Sequence, residues 1–505
     1  MKLRSIAPAL ALSAAAVAPL VAPRAAHACG GCYHRPSETE STVVTGHRMV
    51  LSVSMTQTVL WDQIEYDGDP SEFAWVLPVK KGARVEVATD AFFETLDAAT
   101  TVSVVSPPLD CAPAPSATRG GGCSSSDSEF LASRDESGGF GSDVDVLHRG
   151  TVGPYQTVTL STDTPGALNL WLTEHDYAVD AEIQPIIDAY VAEGFDFIAL
   201  RLLPDKDVNA MKPVRVVTPG ASPTLPLRMV AAGTGANVGI KLFVITEGRF
   251  ATKNFPGAAV PAGDLAWDHL TIQSNYAALR EAAISSNEGR TWLTAFAKPG
   301  ALLSPQVNPT SFGNVMYGTS EGPVETIAEA YIHQAIKNGE AGGAQCSTMF
   351  TQHATSPLLV QDPCPPDAPD PTSCPAPAAG TIDARAFACG EADDLAVALN
   401  GLHPKDVWVT RLEAFLPRAA LSSDLELEPA AAQTPVENWL KPAKIENETE
   451  ACRKALDSAA GPTIIGDKGG KPSRWAVFGV ATAALALLAA ARRLGNKVRG
   501  SSQTA

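Results

Sequence analysis

Two short stretches carry residues of the right type and spacing to do chemistry. Cys29-Gly30-Gly31-Cys32 sets two thiols three positions apart, with His34 close behind. Covalent haem attachment needs histidine directly after the second cysteine, and here Tyr33 intervenes. Zinc needs four ligands, usually from a second paired motif, and the other cysteines are scattered. Thiol-redox chemistry by Cys29 and Cys32 needs the pair to open a helix that lowers one thiol pKa, whereas Arg35-Pro36 follows here. Lipidation of Cys29 needs small residues before it; His27 fits poorly, although modification would leave an even eight of the nine cysteines. The simplest reading is structural. In an oxidising compartment each cysteine pairs with the other or with a distant one, and connectivity is not legible from spacing.

The second stretch, Gly318-Thr319-Ser320-Glu321-Gly322, matches the G-x-S-x-G nucleophile elbow. That elbow needs a strand, a sharp turn and a helix that expose the serine. Val315-Met316-Tyr317 precedes it and a helical pattern from Pro323 follows. His353 and His403 lie downstream, with Asp362 or Asp393 to orient one of them. No α/β-hydrolase alternation surrounds the stretch, and a glycine turn before a helix-opening proline accounts for the same residues. A serine hydrolase using Ser320 is therefore the runner-up reading, and a thiol-redox role for Cys29 and Cys32 the third. Asp143 and Asp145 are weak calcium candidates without the glycine and terminal glutamate of an EF-hand loop. His175 and His269 stand alone, and no cofactor motif is read.

The elements around these residues give an address. Lys2 and Arg4, an apolar run from Ile6 to Val21 and Ala26-His27-Ala28 make a signal peptide over residues 1–28. A second apolar run, 475–491, lies at the lower limit for a bilayer span, with Trp475 as an interfacial anchor. Arg492, Arg493, Lys497 and Arg499 follow it and predict a cytoplasmic tail, residues 492–505. Gly469-Gly470 before the run also resembles a cleaved sorting signal. Without the basic residues of these two ends, residues 29–470 hold 29 bases against 55 acids, a net charge of −26. Such a surface repels phosphate backbones and excludes nucleic acid as a partner.

Apolar alternation predicts strands at 50–53, 58–66, 73–79, 155–160, 195–203, 214–217, 225–230, 239–246 and 407–415. Helical patterns run from Asp90 behind a Thr89 cap, over 165–172, 183–192 and 276–285, from Pro323 to Lys337, and near Cys452. Trp75, Trp171 and Trp292 sit in apolar runs and read as core. Residues 106–150, rich in Ser, Gly and Asp, read as a surface insertion pinched through Cys111 and Cys123. Residues 355–380 read as a proline-rich loop with Cys364 and Cys374, and 429–474 as a stalk. Strands without regular βαβ alternation argue for an α+β ectodomain over 29–428 with a largely antiparallel sheet, followed by the one transmembrane helix.

Phe73-Ala74-Trp75-Val76-Leu77-Pro78-Val79 and Asp90 to Thr100 resemble signatures of the bacterial domain of unknown function 2330 family. Gly153-Pro154-Tyr155, Trp171-Leu172, Tyr190 to Pro204, Pro213 to Met229, Asn275-Tyr276 and Val409 to Leu412 are similar to the same family. The resemblance runs over most of residues 29–420 and implies an exported bacterial envelope protein, with no catalytic residue to inherit. The expectation is a non-enzymatic, membrane-anchored envelope module that binds or scaffolds a partner. The N-terminal peptide of protein from native membranes should begin at unmodified Cys29, with thiols that alkylate only after reduction. A lipid mass on Cys29, or thiols free without reduction, would overturn the structural reading.

Overall fold

The computed structural model describes residues 32–33, 43–67, 74–111, 146–161, 166–175, 181–203, 211–232, 234–303, 326–342, 389–403 and 406–459, with Tyr177, Val179 and Lys206 between them. They fall into two compact units, the larger ending at Glu446.

Within the larger unit the principal strands are β1 (Cys32–Tyr33), β2 (Val43–Val53), β3 (Gln57–Asp67), β4 (Ala74–Val79), β5 (Arg84–Val87), β6 (Val146–Val152) and β7 (Tyr155–Leu160). The series continues with β8 (Asp196–Leu202), β9 (Val214–Pro219), β10 (Asn237–Glu247), β11 (Gly257–Ala258), β12 (Trp292–Pro299) and β13 (Val407–Pro417). The described residues form an eight-stranded sheet, β11-β12-β13-β10-β2-β3-β9-β5, and a five-stranded sheet, β1-β4-β8-β7-β6. Pairing is antiparallel except for β2 with β10 and β11 with β12. This is the expected α+β class with a mostly antiparallel sheet.

Period-two alternation splits the large sheet between two environments. Val50, Trp61, Phe243, Ile245 and Val409 face a helical layer of α1 (Asp90–Thr100), α5 (Ile327–Lys337) and α6 (Asp394–Leu399). Met49, Leu51, Val53, Ile240, Leu242 and Leu412 face the other way, into the core that holds α2 (Ala167–Glu174) and α3 (Gln184–Ala192). Farther along, Ile64, Val214 and Val216 meet Trp75, Leu77, Ile198 and Leu200 of the five-stranded sheet. Trp75, Trp171 and Trp292 are buried, as their apolar runs indicate. In the helical layer Phe92 packs on Trp61 at 5.3 Å and on Tyr331 at 5.5 Å between ring centroids, each pair contributing about 0.5–1.5 kcal/mol beyond its area.

A fully buried carboxylate pins the helices to the sheet. Asp394 accepts from Trp61 Nε1 at 2.8 Å, the Thr89 amide at 2.9 Å and the Thr89 hydroxyl at 2.6 Å. Tyr331 donates to it at 3.2 Å and Arg215 Nη1 at 2.8 Å. Burial pushes the Asp394 carboxyl above the ordinary range, and burial likewise raises the Tyr331 phenol. Every partner of the carboxylate is nonetheless a donor, so the ion is the species this cage holds. Thr89, read as a helix cap, spends its hydroxyl on Asp394. The first amides of α1 are instead satisfied by Glu340, which accepts from Asp90 at 2.9 Å and Ala91 at 3.1 Å.

Several expectations need correction. Residues 146–150, read as insertion, open β6 and pair with β7. The strand read at 225–230 stops at Leu225 and becomes a 3₁₀ turn, Arg228–Ala231, because Pro226 offers no N–H to a ladder. The helix read from Pro323 is described from Ile327, behind a Thr326–Glu329 capping box. Strands β5 and β12 and helix α6 went unread. The stalk read from 429 is part of the body as far as Glu446: Trp439–Leu440 pairs with Ser103–Val104, and Lys444–Glu446 with Ala266–Asp268. Residues 475–491 lie outside the described residues, among which no helix is long and apolar enough to cross a membrane.

The second unit is described at residues 109–111 and 447–459. Its helix α7 (Glu448–Ala459) carries Cys452, which is disulfide-bonded to Cys111 across 341 residues of sequence. The Cys111–Cys123 pinch is thus replaced by a long-range bridge. Cys389 is also disulfide-bonded. Asp394→Ala should cost about 3–5 kcal/mol, read from the urea midpoint, because it leaves the buried donors of Trp61, Thr89 and Tyr331 without their carboxylate and removes one of the Arg215 ion pairs. A loss below about 1 kcal/mol would contradict the pinning role.

Candidate functional site

The register of the large sheet builds an apolar floor from single residues of three neighbouring strands. Leu51 of β2 is paired with Leu60 of β3, and Leu60 with Val216 of β9. The next row brings Thr58 and Thr218 opposite one another. This patch faces the end of β4, where Leu77, Pro78 and Val79 run into Lys80, and the exit of α3 at Glu193 and Phe195. Between them lies a cleft of about 570 Å³, within the size range of small-molecule sites.

One wall is a locked charge cluster. Tyr190 donates to Asp424 Oδ1 at 2.6 Å. Arg228 stacks over the Tyr190 ring at 4.1 Å and donates to Asp424 Oδ2 from Nη2 at 2.7 Å. Its Nη1 and Nη2 also reach Glu193 at 2.7 and 2.6 Å. The hydrogen bond from Arg228 holds the Glu193 carboxyl below its usual range, and the same bond keeps the guanidinium charged. Burial, then the Asp424 charge, pushes the Tyr190 phenol far up, so it acts only as a neutral donor. The opposing groups are softer. Lys80 Nζ donates to the Ser222 hydroxyl at 2.9 Å, and the Ser222 amide donates to Thr58 Oγ1 at 2.7 Å. Asn254 bridges the backbone of Asp424 and Glu426 at 2.7 and 2.9 Å. An apolar floor with a polar, hydroxyl-rich rim is suited to binding.

A smaller cavity shares Leu60, Leu77, Pro78 and Pro226 with the cleft and is lined by His47, Asp62 and Trp75. His47 Nδ1 and Asp62 Oδ1 lie 3.0 Å apart, both side chains buried.

Those residues singled out by sequence reasoning that are described do not line this cleft. Ser320, Cys29, Cys123, Cys364, Cys374, Asp143, Asp145, His353 and Asp362 lie outside the described residues. Cys32 is placed in β1, paired with Trp75. Asp393, a candidate triad member, forms a two-pronged ion pair with Arg215 at 2.5 and 2.9 Å. His403 Nδ1 sits 3.5 Å from Asp406, and His175 stacks on Trp171 at 4.4 Å. Among the described residues no group of three His, Cys, Asp or Glu could hold a metal ion. Arg411, from the stretch similar to the family, is structural: it bonds Asp97 of α1 at 2.8 Å and Glu413 at 2.7 Å. Lys80, Ser222, Arg228 and Asp424 were not read as a site. The one local signal was a lysine pair and glycine turn, Lys80-Lys81-Gly82, straight after an apolar strand.

Residues 23–299, more than half of the chain, match the model of a family described as an uncharacterized protein conserved in bacteria (DUF2330). The match takes in β1 to β12 and the floor of the cleft, and stops short of Val409 to Leu412 and of Asp424. No curated protein and no solved structure matches the chain.

Proposed function

The chain belongs to the domain of unknown function 2330 family, and on that premise we propose that it is an exported, membrane-anchored binding module of the bacterial envelope. Its ligand is a small, partly apolar molecule taken into the cleft over Leu51, Leu60 and Val216. The observation that carries this reading is the cleft itself: apolar rows set by strand register, walled by a charge cluster whose members are already paired. Burying ligand surface there contributes about 25 cal/mol per Å² of apolar area before ordering costs. Export is supported by the N-terminal run ending at Ala28 and by the Cys111–Cys452 bridge, which suits an oxidising compartment. Anchoring is supported by the apolar run 475–491 and its basic flank.

The test is saturable binding of an uncharged apolar dye, N-phenyl-1-naphthylamine, followed by fluorescence. One site per chain is expected, and Leu60→Trp, which fills the floor, should weaken it at least tenfold while leaving the thermal midpoint near that of the wild type. Binding unchanged in Leu60→Trp, or no saturable binding, would contradict the cleft as the site.

A further inference from the structure

We propose that the ligand of the cleft is an anionic amphiphile, with a carboxylate or phosphate head at Lys80 and Ser222 and an apolar body on the Leu51, Leu60 and Val216 row. This rests on the cleft being the binding site and adds the chemistry of what enters it.

The argument is an account of charge. Every carboxylate that lines the cleft is committed. Glu193 and Asp424 are held by Arg228, and Glu426 by Lys253 at 2.5 Å. Arg228 is committed in return, with donors on both carboxylates and its face on Tyr190. A cationic head would have to break one of these pairs. Lys80 is the lining cation that no described carboxylate pairs with; among the described residues its amine meets only the Ser222 hydroxyl. An ammonium has three donors, so two remain for an incoming anion. Ser222 accepts from Lys80 and so keeps its own hydroxyl proton to donate to the same head. Lys80 also directly follows Leu77, Pro78 and Val79, which line the cleft. The positive charge and the apolar wall are therefore contiguous in the chain, as the head and body of an amphiphile are. Charge-assisted hydrogen bonds of this kind are roughly twice as strong as neutral ones.

The experiment is displacement of N-phenyl-1-naphthylamine from the full chain by oleate, oleyl phosphate and oleamide, each below its micelle concentration. These probes share the apolar body and differ in the head. Oleate or oleyl phosphate should displace the dye at least tenfold more effectively than oleamide, and the better of the two identifies the head. Lys80→Gln should erase that preference, each displacement being scaled to the dye affinity of the same variant, and Lys80→Arg should restore most of it. Equal displacement by oleamide, or a preference that survives Lys80→Gln, would overturn the proposal while the cleft reading stands. Failure of the dye itself to bind would instead strike the cleft reading.

Discussion

The carboxylate of Asp394 is the constraint on which the larger unit depends. At the start of α6, it accepts from Trp61 of β3, Arg215 of β9, Thr89 at the head of α1 and Tyr331 of α5. A buried ion is costly unless every lone pair is used, so the carboxylate tolerates only one arrangement of the surrounding elements. Arg215 extends that constraint outward: its other donors hold Asp393 and Glu86, which fixes the β9 edge of the sheet on which β5 is laid.

The cleft inherits its geometry from this. Val216 follows Arg215 by one residue, so it points to the opposite face of β9. The charge network anchors one face of the strand while the other supplies the cleft floor. Register then does the rest, since Leu60 and Leu51 are in line with Val216 because β3 and β2 pair without a slip at these positions. The far wall is held separately. Tyr190, at the end of α3, and Asp424, far along the chain, are brought together by Arg228 in the 3₁₀ turn. That turn exists because Pro226 ends the preceding strand. A backbone restriction at one proline thus places the guanidinium that organises the wall.

Much of the frame was legible in the sequence, because alternation and helical periodicity report burial directly. β2, β3, β4, β7, β8, β10 and β13, helices α1 to α3 and α5, and α4 (Tyr276–Gly289) follow from apolar spacing. What was not legible is whatever depends on partners far away in the chain. β5 reads as charged and short, and it is a strand only because β9 lies beside it. β6 begins inside a polar stretch and is defined by its hairpin with β7. The cap of α1 comes from Glu340, which sequence spacing cannot associate with Asp90. The Cys111–Cys452 bridge is likewise a product of the fold. The site shows the same limit: the floor residues were read as strand positions, whereas Lys80, Ser222, Arg228 and Asp424 converge only in three dimensions.

The most direct test of the account is native mass spectrometry of the protein released gently from its own membranes. A small-molecule adduct at one per chain, absent from a Leu60→Trp variant prepared in the same way, is the predicted result. An adduct carried equally by both proteins would contradict the central claim that the inter-sheet cleft is where this protein binds.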